Sequence, residues 1–162
     1  SIGKSIKEKN CGKIIEEIIT LSKKEKCKII CPEDVVVSKD LNGSPQKKEL
    51  NKILSDEMIL DIGPKTIEKI INIIDNSKTI LWNGPAGYFE NPKFANGSIQ
   101  IAKKIIESNK AKKIFSVAGG GDTISLLNNL NSVNNFNFVS TAGGAFLEYL
   151  EGKKLPGITA LN

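Results

Sequence analysis

The feature that most constrains this chain is a unit that recurs in kind along it: a short apolar run, a loop rich in Gly, Pro or Asp, then a helical pattern. Residues 28–31 (KIIC) lead into PED, 58–61 (MILD) into IGPKT, 79–82 (TILW) into NGPAG, 113–117 (KIFSV) into AGGGDT and 136–140 (FNFVS) into TAGGA. Short apolar strands alternating with helices pair in parallel, because a crossover helix returns the chain to the same end of the sheet. The expectation is an α/β fold: an open parallel sheet with helices on both faces, a Rossmann-like three-layer sandwich, formed by residues 1–162 as one domain.

Three helical stripes are legible at the spacing of an amphipathic helix, and each is expected to pack on the sheet. They are Ile14, Ile15, Ile18, Ile19 and Leu21; Ile67, Ile70, Ile71 and Ile74; and Ile101, Ala102, Ile105 and Ile106. Pro64 suits the first turn of the second helix, where no amide is lost. Residues 38–57 lack clear periodicity and read as a long surface excursion with at most a short helix.

In open parallel sheets, ligands sit outside the carboxyl ends of the strands, which is where the glycine-rich segments fall. The sharpest of them is residues 116–127, SVAGGGDTISLL. Three consecutive glycines cost backbone entropy and need a reason, such as positive φ or a bulky neighbour. Free amides at a helix N-terminus suit phosphate, and an aspartate beside phosphate makes sense if it holds a hard divalent ion such as magnesium. On that reading Gly119, Gly120 and Gly121 admit a phosphate chain, Asp122 holds its metal, and Thr123 adds a hydroxyl or caps the helix. GGGD lacks the spacing of a G-x-G-x-x-G or Walker A loop. A tight turn with Asp122 as a plain N-cap remains open on these residues alone.

Composition closes several other routes. The chain has no histidine, which removes imidazole bases, phosphohistidine intermediates and His-based triads. Its three cysteines, Cys11, Cys27 and Cys31, form no Cys-x-x-Cys pair and read as free thiols. The net charge is +5, yet all 23 basic residues are lysines, scattered as a solvated face rather than a nucleic-acid surface. No apolar run approaches the ~18 residues of a membrane span, and no signal peptide is recognisable, so a cytoplasmic protein is expected.

The segment LWNGPAGYFE, from Leu81 to Glu90, resembles the W-N-G-P-x-G-x-F-E motif in the carboxy-terminal domain of phosphoglycerate kinases. The resemblance continues, in the family's order, through LDIGPKTIE, AGGGDT, STAGGAFLEYLEG and LPGITAL, and covers the chain from Gly3 onward. It implies a domain that binds MgADP or MgATP. Glu90 falls on the position contacting the ribose hydroxyls, and Asn83 and Pro85 fall along the nucleotide between phosphates and sugar. Gly120, Gly121 and Thr123 fall at the nucleotide, and Asp122 at its magnesium. Ile59 and Leu60, at the strand end before DIGP, flank the adenine, and Gly143 and Gly144 turn their amides towards the transferring phosphoryl group. Phosphoryl transfer needs positioning and charge stabilisation more than covalent help, so the lack of histidine is no obstacle.

Three positions depart from the commonest pattern: Ala142 where a third glycine is usual, Phe146 where serine is frequent, and Ile59 where glycine is common. The resemblance also implies an arginine-rich amino-terminal domain that binds 3-phosphoglycerate, and a strand bearing a phosphate-contacting lysine, neither of which matches these residues. Lys4 does not match that lysine. The expectation is a partial carboxy-terminal domain of a monomeric parent, which exchanges a phosphoryl group between 1,3-bisphosphoglycerate and ADP, with the fragment itself inactive. Two other readings stay open from the residues: a self-sufficient nucleotide-binding module, or an interaction protein whose glycine loops are only turns.

Overall fold

In a computed structural model, residues 1–161 are described. The chain is α/β, with its parallel sheet flanked by helices. Helix α1 (Gly12–Lys24) precedes a hairpin of β1 (Asp34–Ser38) and β2 (Gln46–Glu49). Then β3 (Met58–Ile62), α2 (Pro64–Asp75), β4 (Thr79–Asn83), α3 (Asn96–Lys110), β5 (Phe115–Gly119), α4 (Gly121–Asn129) and β6 (Phe138–Val139) follow, ending in α5 (Gly144–Leu150) and α6 (Pro156–Thr159).

The strands form two sheets rather than the single open sheet expected. Strands β4, β5 and β6 pair in parallel in that order, whereas β2, β1 and β3 pair antiparallel. The second sheet arises from the stretch expected to be a loop. Asn42 donates its N–H to the Asp40 carboxylate at 2.9 Å, an Asx turn that reverses the chain and lays β2 on β1. Within the same stretch Ile53 is buried against Val35 and Val37, so the excursion closes a small core of its own.

Residues 28–31 do not form the expected strand, and DVVVS, which begins at the last residue of PED, does. An apolar run becomes a strand only where a neighbour takes its N–H and C=O groups. The β1 ladder takes the edge of β3, and no described segment pairs with KIIC. The other strands shift in extent. The fourth runs from Phe115 to Gly119, and the fifth shrinks to Phe138–Val139, releasing Phe136 to stack on Trp82 at 6.2 Å between ring centroids.

One face of the parallel sheet carries the main core. Trp82 and Ala118 pack there against Ile101, Ala102 and Ile105 of α3 and Leu126 and Leu127 of α4, with Ile74 of α2 at the margin. On the opposite face Leu81, Phe115 and Phe138 are each about half exposed. Helix α1, expected to pack, buries none of its residues, and its stripe of Ile14, Ile15, Ile18 and Ile19 is exposed. Helix α1 leads directly into the unpaired KIIC segment, so nothing presses its apolar stripe onto the sheet.

Helix α2 starts where the sequence places it, with Pro64 in the first turn. Its cap comes from a distant strand. The buried Asp34 of β1 accepts the N–H groups of Lys65 at 3.0 Å and Thr66 at 2.8 Å, and the Thr66 hydroxyl at 2.8 Å. Burial pushes the Asp34 carboxyl up, but the Thr66 and Lys65 amides, the Thr66 hydroxyl and the Lys65 charge outweigh it, so the net shift is downward from 3.8. A carboxyl that is more acidic folded than unfolded contributes stability that is complete above pH 3.8 and fades as pH falls through the folded value. Asp34→Ala should cost about 1–3 kcal/mol in urea denaturation at pH 7. That deficit should shrink as pH falls below 3.8, where the wild-type carboxyl protonates too. An equal deficit at pH 7 and at pH 2.5 would show that the charge contributes nothing.

Candidate functional site

The carboxyl ends of β4, β5 and β6 lie along one edge of the parallel sheet, because their ladders run in register from Thr79 opposite Phe115 to Asn83 opposite Gly119. Three loops emerge there: 83–91 after β4, 119–121 after β5 and 140–143 after β6.

The three consecutive glycines separate into three different requirements. A Cβ on Gly119 would stand 2.8 Å from the Phe146 ring, so this glycine admits α5 onto the sheet edge. Gly120 has φ +87° and serves as the N-cap of α4, and a side chain there would meet the Asn83 amide oxygen at 2.8 Å. Gly121 faces open space. Two of the three are therefore required by the protein's own packing, and one leaves room at the helix start.

Asp122 stands in the first turn of α4, exposed and without a hydrogen-bond or ion-pair partner among the described residues. It is not the N-cap, since Gly120 holds that position and no side chain caps the helix. The helix dipole favours a negative side chain in this turn, and because the carboxylate is exposed and has no protein partner, its oxygens stay open to a cation from solvent. Among the described residues no group of three or more Asp, Glu, Cys or His side chains forms a metal cage. A single carboxylate suits an ion whose other ligands are phosphate oxygens and water, as magnesium prefers.

Thr123 is fully buried, and its hydroxyl accepts the Gly84 N–H at 2.7 Å. The Gly84 carbonyl in turn accepts the Trp82 indole N–H at 3.1 Å, so Gly84, at φ +96°, is fixed from both sides. Of the two roles the sequence left open for Thr123, the structure shows the hydroxyl, which joins the β4 and β5 loops as an acceptor. Next to Gly84, Pro85 is half-buried, and Asn83 is exposed at the strand end.

Glu90 is exposed and lies between two anchors. On one side the Tyr88 N–H donates to the Leu60 carbonyl at 2.6 Å. On the other, Asn91 donates its side-chain N–H to the Leu41 carbonyl at 2.8 Å, and the Lys93 ammonium reaches the Asn42 carbonyl at 2.7 Å. Ile59 and Leu60 sit within β3 rather than at its end, because the strand continues to Ile62. Both line an apolar cavity of about 410 Å³ together with Pro32, Val35 and Ala86.

Gly143 and Gly144 open α5, with Gly143 at φ +57° and both glycines exposed. The Phe146 ring on Gly119 brings them beside the β5 loop, so the departure at Phe146 is what docks this helix. Ser140 is buried and donates its N–H to the Ala118 carbonyl at 2.8 Å, fixing the root of the segment. The structure thus gathers Asn83, Gly84, Gly119–Thr123 and Gly143 at one edge of the sheet, and Glu90 beside β3. One residue of this region escaped the sequence reading: Asp61, an acidic side chain next to the end of the apolar strand MILDI, which turns out to be buried. A lone carboxylate among strand-forming apolar residues is the signal that marks it.

Fold and loops together define an α/β protein whose glycine-lined loops and free carboxylate gather at the carboxyl edge of a parallel sheet, the arrangement that accommodates phosphate-bearing ligands. Residues 1–153 match the family model for phosphoglycerate kinase. The chain belongs to the phosphoglycerate kinase family. It is 43% identical over 162 residues to the phosphoglycerate kinase of Zymomonas mobilis, covering 99% of this chain and 41% of that protein. To the phosphoglycerate kinase of the Wolbachia of Brugia malayi it is 40% identical over 163 residues, with 99% and 41% covered. Among solved structures, phosphoglycerate kinase from Coxiella burnetii superposes with a TM-score of 0.91 at 35% identity, over 100% of this chain and 41% of that one. The Pyrococcus horikoshii enzyme gives 0.72 at 29% identity, with 99% and 40% covered. The chain thus spans about two fifths of the length of its relatives. No helix among the described residues is long and apolar enough to cross a membrane.

The close approach at Gly119 yields a coupling test. Gly119→Ala should cost about 1–3 kcal/mol in urea denaturation, as an added methyl displaces a packed ring. In the background Phe146→Ala, the same change should cost less by at least about 0.5 kcal/mol, the signature of two residues in contact. Additive costs would mean that Phe146 does not rest on Gly119.

Proposed function

We propose that this chain is the nucleotide-binding part of a phosphoglycerate kinase, which reversibly transfers a phosphoryl group between 1,3-bisphosphoglycerate and ADP to give 3-phosphoglycerate and ATP. The observation that carries the reading is Asp122: a carboxylate with no structural partner, in the first turn of a glycine-capped helix, in a chain whose motifs follow the family's order.

In this reading ADP or ATP lies across the carboxyl edge of the sheet. Glu90 accepts hydrogen bonds from the ribose hydroxyls, and the anchored Tyr88 and Asn91 hold it in place. Ile59 and Leu60 flank the adenine. Asn83 and Pro85 lie along the sugar and phosphates, and the amides of Gly120 and Gly121 at the start of α4 meet phosphate oxygens. Thr123 acts through Gly84 rather than through the ligand. Asp122 would hold magnesium, which when bound neutralises charge on the phosphates. Gly143 and Gly144 present amides to the phosphoryl group in transit, where fixed donors stabilise charge that develops as the bond breaks. The 3-phosphoglycerate site belongs to the part of the relatives that these residues do not match, and transfer needs both substrates in line. The 162 residues alone are therefore expected to bind nucleotide weakly and to turn nothing over.

Titration with MgADP and with metal-free ADP tests the site directly. Asp122→Asn should abolish the difference between the two titrations, and unchanged MgADP affinity would remove the metal role. Charge-assisted hydrogen bonds contribute about 1.5–3 kcal/mol, so Glu90→Ala should weaken ADP roughly ten- to a hundredfold. A change below about threefold would return Glu90 to the status of a surface residue. A coupled assay with 3-phosphoglycerate and MgATP should show no turnover by these residues alone, and turnover above background would mean that the acceptor site lies within them.

A further inference from the structure

Asp61, the penultimate residue of β3, is buried to 2% exposure, and its two carboxylate oxygens face different elements. Oδ1 accepts the Ile62 N–H at 2.8 Å, and Oδ2 accepts the Gly97 N–H at 2.8 Å. Gly97 belongs to the first turn of α3, a helix whose N-cap, Ala95, offers no side-chain acceptor. The carboxylate of a distant strand therefore does the capping. Two glycines make room for it. Gly97 abuts Asp61 directly, and a Cβ on Gly87, at φ +72°, would lie 2.6 Å from Oδ1 and equally close to the Leu60 carbonyl.

Around this carboxylate the segment from Gly84 to Gly97 is tied down at three further points. Tyr88 donates its N–H to the Leu60 carbonyl at 2.6 Å. The buried Ser98 hydroxyl donates to the Ala86 carbonyl at 2.6 Å, and Phe94 is fully buried. Pro85 and Glu90 lie on this same segment.

We propose that Asp61 is a positioning residue for the nucleotide site: its carboxylate bonds β3 to the start of α3 and forms the surface on which the Gly87 turn packs, and so sets where Pro85 and Glu90 stand. The proposal rests on the nucleotide reading above. It assigns Asp61 no contact with the ligand.

A clamp of this kind is charged at a cost. Burial pushes the Asp61 carboxyl up to about 6, against the opposing pull of the Gly97 and Ile62 amides. No charged side chain on the surrounding elements offsets it. On β1, Asp34 is committed to Thr66 and Lys65. Lys93, in the turn before α3, donates to the Asn42 carbonyl, and Lys104 of α3 pairs with Asp75. Glu90 is exposed.

The sign of the linkage separates geometry from stability. A carboxyl at about 6 folded, against 3.8 in its ordinary state, binds its proton more tightly in the native protein. Its contribution to stability is therefore complete below pH 3.8 and is lost as pH rises through 6. Protonation nevertheless turns one of the two acceptor oxygens into a hydroxyl, leaving one amide without its carboxylate partner. Acid should thus leave the protein no less stable through this group while loosening the clamp.

A merely structural residue would lose stability and binding together, and the measurement exploits that difference. In Asp61→Asn, the urea midpoint at pH 7 should equal or exceed that of the wild type. Its MgADP dissociation constant should rise about two- to thirtyfold, the range for a residue that acts on the ligand only through its neighbours. Between pH 7.5 and 5.5 the dissociation constant should rise more steeply in the wild type than in Asp61→Asn, where only the terminal phosphate of ADP titrates, and equal slopes would overturn the proposal. Unchanged affinity in the variant, or a loss of stability that matches the loss of affinity, would overturn the proposal. If Asp61→Asn fails to fold, the Gly97 amide of the wild type decides: it donates to the Asp61 carboxylate, and an amide resonance that does not titrate near pH 6 overturns the proposal. Failure of the nucleotide reading looks different, since then neither the wild type nor Glu90→Ala binds MgADP at any pH. The clamp is in that case judged by the Gly97 and Tyr88 amide resonances. They should titrate together near pH 6 in the wild type, and a Gly97 amide that does not titrate refutes it.

Discussion

The parallel ladder between β4 and β5 is the constraint on which the rest depends. Its register sets Asn83 opposite Gly119, and that single pairing brings the β4 loop against the glycines that open α4. The same ladder turns Trp82 and Ala118 to one face, where α3 and α4 close the main core over them. The bond between Gly84 and Thr123 follows from this register, as does the seat of Phe146 on Gly119. A slip of one residue would turn Trp82 to the opposite face and separate the loops.

Two buried aspartates show how environment divides the work of one functional group. Asp34 and Asp61 each cap a helix that follows in the chain, and each is almost fully buried. Asp34 has two amides, a hydroxyl and a nearby lysine, and its carboxyl is held below the usual range. Asp61 has two amides and no cation, and its carboxyl rises to about 6. Depth and donors decide the direction together: Asp61 lies deeper and has fewer donors to its charged form, each of which offsets part of the desolvation cost. Asp34 therefore strengthens the fold at neutral pH, whereas Asp61 spends stability on the placement of a loop.

The two sheets differ in how readily their origin could be read. Strands β3, β4 and β5 were legible because apolar runs end in glycine or proline loops, and α2 and α3 because their stripes keep helical spacing and find a core. The KIIC run and the stripe of α1 carry equally clear patterns, yet neither packs. Apolar periodicity reports which face would be buried and is silent on whether a neighbour is present to bury it. Strand β2, with QKKE, is the reverse case: polar on both faces, it is a strand only because the Asp40–Gly43 turn delivers it to β1.

By itself the sequence determined the order of elements from β3 onward, the exclusion of histidine chemistry, and the short list of loops able to meet a phosphate, since these follow from local pattern and residue type. Which residue within each loop faces outward was decided only by tertiary structure. Asp122 and Thr123 are neighbours in sequence, yet one is free in solvent and the other is buried on Gly84. Gly119 and Gly121 look interchangeable in GGGD, yet one seats an aromatic ring and the other faces open space. Asp61 lies in a strand whose pattern says only that an acidic residue interrupts apolar ones; its partners, Gly87 and Gly97, arrive from 26 and 36 positions away in the chain. Contacts of that separation depend on how helices and turns pack, a property of the whole fold that no local stretch of sequence contains.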